Sequence, residues 1–452
     1  MDKGITEKRQ FPRVNVTFPI RITPEFLGET VDLSQGGLGF ALEKPLLLSK
    51  VHAKIELSPE ESIDTELKII WNKRLIKEGR FTYGACFVRL GEKDLEMLGK
   101  VLISNQIKIL IDNIEDKRIK DKVYNFFINY VREYLDRVTE INNLLIAKVI
   151  QPHEIEQKLS FLNDFVVQKG DEIEKEIDSA LLIKKIKENF RKLVSYWTTK
   201  GIIVKNALEK PRGYPGDYEL LEMIYNNRAV SEGIGFFYDK DFLDNDYAIG
   251  VRERKNEMKN ILREFIVSCN SNKINILNLA CGACREIREL FIEDNFMTEK
   301  EINFVCLDQD EQALQFSKNN LDRIPKNIQF RFLKENVINL SVKNKAKLPD
   351  LQCNFDMVYT IGLADYLPDR VLKSLLKFSY DILQSKGKLV IAHKDIERYK
   401  PLQPNWFCDW NFYFRNEENL INIMKEITKE QVYIEKRYIK RGCIFFIILT
   451  KI

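Results

Sequence analysis

Histidine is scarce: three residues, His52, His153 and His393, in a chain of 452. Eight cysteines are present but lack the paired spacing of a disulfide framework, which suits a reducing cytoplasm. Cys281 and Cys284 form one C-x-x-C, with no second pair and no nearby histidine. No metal site is expected there, because a closed tetrahedral centre needs four such ligands. No apolar run reaches eighteen residues and no signal peptide is evident, so no membrane span is expected. The run I-F-F-I-I-L at 444–449 has only the length of a strand. Neither sign of charge dominates, with 71 basic against 67 acidic residues and a net charge of +4. That balance gives no footprint for a nucleic-acid polymer or an anionic membrane surface.

What is present divides the chain. At this length two or three domains are expected, and 44% apolar residues suffice for full cores. Near the start, Arg9 and Arg13 stand four apart in K-R-Q-F-P-R, and Asp32, Ser34, Gly36 and Gly37 follow in D-L-S-Q-G-G-L. An arginine fork bonds phosphate oxygens, or the O6/N7 edge of guanine, in bidentate fashion. Short acidic and hydroxyl side chains take donors on the other edge of the base, and glycine admits a ligand close to the backbone. The pair fits a lead-in wrapping over a turn between two strands, for a compact, doubly phosphorylated guanine nucleotide. Each half alone is also compatible with a basic surface or an ordinary hairpin.

Alternating apolar residues follow at 14–22, 38–42, 55–57, 67–71 and 81–87, the pattern of a small antiparallel barrel, and 92–104 reads as one capping helix. With R-Q-F-P-R, D-L-S-Q-G-G-L, Trp71 and Y-G-A-C-F at 83–87, residues 1–105 resemble the PilZ domain, a bacterial receptor for cyclic di-GMP. The resemblance implies nucleotide contacts at Arg9, Arg13, Asp32, Ser34, Gly36 and Gly37. Lys8 stands where many members carry another arginine, which leaves one or two bound nucleotides open.

Between 106 and 200 the only glycine and proline are Gly170 and Pro152. Helical spacing of Val123, Phe126, Phe127, Tyr130, Val131, Tyr134 and Leu135 predicts two or three long amphipathic helices. They serve as a connector, or as a transmission and homodimerisation element.

Residues 201–452 alternate strands with helices. Strands are expected at 274–280, 302–307, 328–333, 355–360 and 387–392, with a final hairpin over 431–450 turning at Arg441-Gly442. This is a doubly wound α/β sheet with an added antiparallel hairpin. The first turn, A-C-G-A-C-R, has one glycine and neither G-x-G-x-x-G nor G-x-x-x-x-G-K, so it offers no phosphate cradle. A nucleoside without phosphates needs one close approach, at Gly282, and an acid for its ribose, Asp308.

The pattern resembles class I S-adenosylmethionine-dependent methyltransferases, which implies S-adenosylmethionine as cofactor. The implied cofactor contacts are Ala280, Cys281, Gly282, Glu286, Asp308, Gln309, Asn336, Thr360 and Gly362. Segments 210–219, 360–367 and 405–415 resemble the group containing the synthase of 3-hydroxypalmitic acid methyl ester, which implies a small or lipid acid as methyl acceptor. A carboxylate acceptor is already nucleophilic and needs a clamp more than a base. Arg212, Tyr214, Tyr366 and His393 are the catalytic candidates by position. Their alternative roles are loop packing for the tyrosines, an ion pair for Arg212 and a strand-end cap for His393. Asp217 is placed to cap the helix beginning at Tyr218.

The whole reads as a cytoplasmic cyclic di-GMP-responsive methyltransferase. One alternative is a non-catalytic receptor whose second half is a partner platform. Another is a protein-glutamate methyltransferase.

Overall fold

A computed structural model describes residues 15–23, 25–34, 36–75, 79–341, 351, 354–428 and 432–452, in two compact units, 1–200 and 201–452. Arg9 and Arg13 lie outside the described residues.

In the first unit six strands close a barrel in the order β1-β2-β3-β6-β5-β4. They are β1 (Pro19–Ile22), β2 (Phe26–Ser34), β3 (Gly37–Leu42), β4 (Lys50–Glu56), β5 (Ser62–Leu75) and β6 (Arg80–Arg89). Every pairing is antiparallel. Most of the alternation holds: Ile20, Ile22, Leu38, Phe40, Leu42, Ile55, Leu67, Tyr83 and Ala85 face one core, whereas a register shift between Ile69 and Trp71 leaves Trp71 exposed. Met97, Leu98 and Leu102 of helix α1 (Glu92–Asp112) close that core. The helix outruns the expected 92–104 by two turns, since no glycine or proline follows and Ile107, Leu110 and Ile111 continue its apolar stripe.

The middle segment is helical as read. Helix α2 (Lys117–Asn125) runs through a π turn at Phe126–Val131 into α3 (Arg132–Ile146), and α4 (Pro152–Glu174) and α5 (Ala180–Thr198) follow. The extra residue of the π turn widens the buried face, so that Phe126, Phe127, Val131 and Tyr134 are all enclosed.

The second unit is a seven-stranded sheet in the order β12-β13-β11-β10-β7-β8-β9. Its strands are β7 (Lys273–Leu279), β8 (Glu301–Asp308), β9 (Ile328–Lys334), β10 (Phe355–Thr360), β11 (Leu383–Lys394), β12 (Val432–Tyr438) and β13 (Ile444–Lys451). The first five are parallel; β13 runs antiparallel between β11 and β12, which is the reversed hairpin expected from the sequence. One apolar layer packs on each face, Met258 to Phe446 on one side and Leu277 to Leu449 on the other. The helices bearing on the site are α6 (Ile202–Glu209), α7 (Tyr218–Asn226), α8 (Ile234–Asp244), α9 (Asp246–Ser268), α10 (Arg285–Arg288), α11 (Glu311–Asn320), α12 (Asp369–Asp381), α13 (Leu402–Cys408) and α14 (Glu417–Ile427). Strand order reverses between β7 and β10, and in such sheets the crevice beyond the carboxyl ends of those strands receives ligand. Among the described residues no helix is long and apolar enough to cross a membrane.

The β2–β3 hairpin sets a structural test. A Cβ on Gly37 would lie 2.1 Å from the Ala85 carbonyl oxygen, a backbone atom that cannot step aside. Gly37→Ala should therefore destabilise the barrel by about 1–3 kcal/mol. Thermal melting of the full chain checks this, and an unchanged transition would contradict it.

Candidate functional site

The loop leaving β7 is tightly wound. Ala280, Gly282 and Cys284 all have positive φ, at 56°, 52° and 48°. For the two non-glycine residues that conformation costs on the order of 1–2 kcal/mol each. The loop is held by Asp308, the last residue of β8. Its Oδ2 accepts the Gly282 N–H at 2.8 Å and its Oδ1 accepts the Asp310 N–H at 2.9 Å. Burial raises the Asp308 pKa above the ordinary value, against those two bonds. A Cβ on Gly282 would meet nothing within 4 Å, so the backbone borders open space. Beyond β8 and β9, Asn336 donates from Nδ2 to Gln309 Oε1 at 3.1 Å. Gly282, Asp308, Gln309 and Asn336 thus meet at one edge of the sheet. Thr360, at the end of β10, is 2% exposed, and among the described residues its hydroxyl has no hydrogen-bond partner.

Other sequence candidates sit differently. Glu286 is turned inward, where Oε1 accepts from Asn278 Nδ2 at 3.1 Å and from the Tyr359 hydroxyl at 2.7 Å, and burial pushes its pKa up to about 7. It braces the loop from beneath. Cys281, Cys284 and Cys306 bunch beside it as buried free thiols in mutual contact. Among the described residues no group of three or more His, Cys, Asp or Glu side chains could hold a metal ion.

The 210–219 loop lies across this edge. Arg212 donates to Glu219 Oε1 at 2.7 Å and to Asp310 Oδ2 at 3.1 Å, and its guanidinium stands 4.5 Å from the Tyr218 ring centre. The Tyr214 hydroxyl donates to Asp310 Oδ2 at 3.2 Å. Asp217 caps α7 through the Leu220 N–H at 2.9 Å. The far end of the loop reaches Gly216, whose φ is +71° and whose Cβ, if present, would come within 3.0 Å of the Trp410 ring and 3.2 Å of the Tyr366 hydroxyl. The loop is therefore fastened at Asp310 on one side and abuts Tyr366 and Trp410 on the other.

Beneath its far end lies a buried charge cluster that only partly overlaps the sequence candidates. Asp365, 1% exposed, accepts the Lys394 ammonium at 2.9 Å and the Lys394 backbone N–H at 2.9 Å, while Arg254 Nη1 stands 3.9 Å away. Burial opposes ionisation of Asp365, but the Lys394 ammonium and backbone N–H, with Arg254, hold it well below the usual carboxylate range. Burial likewise lowers Lys394 to about 8. The Lys394 ammonium faces the rings of Phe412 at 3.7 Å, Tyr247 at 5.1 Å and Tyr366 at 5.9 Å, a cation–π arrangement. The Tyr366 hydroxyl accepts the Trp410 indole N–H at 2.7 Å. His393 is enclosed: Nδ1 donates to the Lys394 carbonyl at 2.7 Å, Nε2 accepts from Arg415 at 3.2 Å, and burial lowers its pKa. It is a neutral linker between β11 and Arg415, which is tied to Asp369 and to the Ala364 and Leu367 carbonyls.

In the first unit, Asp32, Ser34, Gly36 and Gly37 share the β2–β3 hairpin. Asp32 Oδ1 accepts the Gly39 N–H at 2.7 Å, and the Ser34 hydroxyl donates to the Gly37 carbonyl at 2.9 Å.

Asp310, Arg254, Lys394, Tyr247 and Phe412 were not among the sequence candidates. A signal existed for Arg254: although it stands in a charged run, it falls in helical phase with Val251, Met258 and Leu262, all buried.

Glu286 gives a pH test. Between the ordinary glutamate value of 4.5 and about 7 the folded state keeps a proton that the unfolded chain has released. Stability therefore falls as pH rises through that window. Glu286→Gln removes the titration and should gain up to about 3 kcal/mol over the parent at pH 8 relative to pH 4.5. Urea unfolding across that range checks it, and parallel curves for parent and variant would contradict it.

Comparison with known proteins gives two family matches. Residues 7–104 match the model described as "PilZ domain", and residues 182–323 match the model described as "Putative methyltransferase". No curated protein sequence matches the chain. Among solved structures it is similar to magnesium protoporphyrin IX methyltransferase from Synechocystis PCC 6803 with bound SAM, at 8% identity and TM-score 0.33, over 46% of this chain and 85% of that one. It is also similar to the N-methyltransferase NodS from Bradyrhizobium japonicum WM9 in complex with S-adenosyl-L-homocysteine, at 15% identity and TM-score 0.32, over 46% and 89%. By these family matches the chain carries a PilZ domain followed by a methyltransferase domain.

Proposed function

We propose that the second unit is an S-adenosylmethionine-dependent methyltransferase acting on the carboxylate of a small or lipid acid, and that cyclic di-GMP bound by the barrel sets its activity. The observation that carries the cofactor reading is the Asp308 clasp on the Gly282 loop at the strand-order reversal. It leaves a half-buried backbone edge facing open space, flanked by the unpartnered Thr360 hydroxyl. Those features fit a phosphate-free nucleoside with an amino-acid tail. Asp308, Gln309 and Asn336 would meet the ribose and adenine, and Ala280, Cys281, Gly282, Thr360 and Gly362 the remainder. Bound there, the cofactor supplies a methyl group on a sulfonium centre.

The chain's own contribution is placement. The 210–219 loop lies across the crevice, and beneath its far end the rings of Tyr247, Tyr366 and Phe412 hold the Lys394 ammonium in place. Tyr214 and Tyr366 are the rim groups suited to orient an acceptor. Arg212 is held by two carboxylates and His393 by two hydrogen bonds, so both act as positioning residues. A carboxylate acceptor needs no base, which agrees with the engaged state of His393. The regulatory half rests on the presence of both sequence motifs, Arg9/Arg13 and Asp32 to Gly37, with a methyltransferase domain in one chain.

Asp308→Ala should weaken S-adenosylhomocysteine binding at least tenfold and leave cyclic di-GMP binding unchanged; Arg13→Ala should do the reverse. Calorimetric titration of each variant with each ligand checks both, and loss of both ligands in either variant would contradict separate sites. Methyl transfer to 3-hydroxypalmitate should change at least threefold with saturating cyclic di-GMP, and equal rates would remove the regulatory reading. Any effect of one ligand on the affinity of the other must be reciprocal.

A further inference from the structure

One buried cation beside the crevice is incompletely answered. Arg254, on α9, is 4% exposed. Among the described residues its Nε has no hydrogen-bond partner, and the carboxylate that stands by it is Asp365 at 3.9 Å, beyond hydrogen-bond range. Asp365 is already committed to Lys394 at 2.9 Å, through both its ammonium and its backbone N–H. His393 is neutral and Arg415 has its own partner in Asp369, so a single buried carboxylate faces both Lys394 and Arg254. Arg254 also bonds the Tyr225 hydroxyl, a neutral group that supplies no charge. A buried cation short of an anion is costly, and the cost is recovered when an anion arrives.

The geometry leaves a way in. Gly362, half-buried in the loop after β10, has no side chain. A Cβ there would sit 3.4 Å from Arg254 Nη2, 3.8 Å from its central carbon and 3.9 Å from Nη1, so the Gly362 main chain lies against the guanidinium with no side chain of its own between them. Two residues earlier stands Thr360, buried and with an unpartnered hydroxyl. Two donor groups without sufficient acceptors, at the end of the same strand and beside a glycine gap, match a planar anion. Guanidinium bonds a carboxylate in bidentate fashion.

We propose that Arg254, Thr360 and the backbone at Gly362 form a seat for the carboxylate of a bound ligand. The inference rests on the methyltransferase reading above. Within it the carboxylate has two sources: the amino-acid end of the cofactor, or the acid acceptor.

The test is calorimetric titration of the full chain, as parent and as Arg254→Gln. The probes are S-adenosylhomocysteine, 5′-methylthioadenosine, which lacks the amino-acid end, and 3-hydroxypalmitate added to the S-adenosylhomocysteine complex. If the seat holds the cofactor's carboxylate, Arg254→Gln weakens S-adenosylhomocysteine at least tenfold and leaves methylthioadenosine within twofold. If it holds the acceptor's, both nucleosides stay within twofold and 3-hydroxypalmitate weakens at least tenfold. No affinity moving more than twofold overturns the seat while leaving the enzyme reading intact. A parent chain that binds neither nucleoside overturns the enzyme reading and the seat with it. Should Arg254→Gln fail to fold, Gly362→Ala, which puts a methyl group against the guanidinium, is expected to weaken the same ligand at least fivefold; unchanged binding overturns the proposal.

Discussion

One buried carboxylate organises the candidate-site edge of the second unit. Asp365 binds the side chain and the backbone of Lys394, stands near His393 and Arg254, and through its own carbonyl accepts the Tyr413 N–H at 2.8 Å. In this way the loop after β10, the end of β11, helix α9 and the segment around Trp410 share a single anchor. Charges taken so far from water are tolerated only when their partners are fixed. The rings around Lys394, the neutral state of His393 and the close approach of Gly216 to Tyr366 and Trp410 all presuppose that Asp365 stays where it is.

A second carboxylate, Asp308, does the corresponding work on the other side of the strand-order reversal, but with backbone donors in place of cations. The two anchors differ in a way that bears on chemistry. Asp308 leaves an open, half-buried backbone edge suited to hydroxyl and amine groups. Asp365 gathers more positive charge than it neutralises, which suits an anion. The Arg212–Asp310 pair and the Tyr214 hydroxyl tie the covering loop to the Asp308 side. Gly216 is what lets that loop reach the other side.

Much of the architecture was legible in the sequence because it obeys simple periodicities. Alternation marked the barrel strands; short apolar runs marked the parallel strands β7 to β11; Arg441-Gly442 marked the final hairpin, where Gly442 indeed has φ +72°. Gly282 and Asp308 were legible because sheet topology fixes where the ends of the first two strands lie. What was hidden is the interior charge. Arg254 lies in R-E-R-K-N-E and Lys394 in H-K-D, runs that composition assigns to a solvated surface. Only three-dimensional pairing makes their burial affordable. The inward turn of Glu286 was hidden for the related reason that its neighbour in sequence is the loop leaving β7, whereas its neighbours in space are Asn278 and Tyr359. Arg212 read as a possible substrate clamp, but two carboxylates distant in sequence from each other absorb its charge.

The central claim is that the crevice at the strand-order reversal is the cofactor site. Hydrogen–deuterium exchange of the full chain, with and without S-adenosylhomocysteine, tests it without relying on any acceptor. The account predicts added protection over residues 279–286, 308–312, 334–338 and 360–366, together with the covering loop at 212–218, and none in the barrel strands. Protection confined to other segments, or no change at saturating ligand, would contradict it.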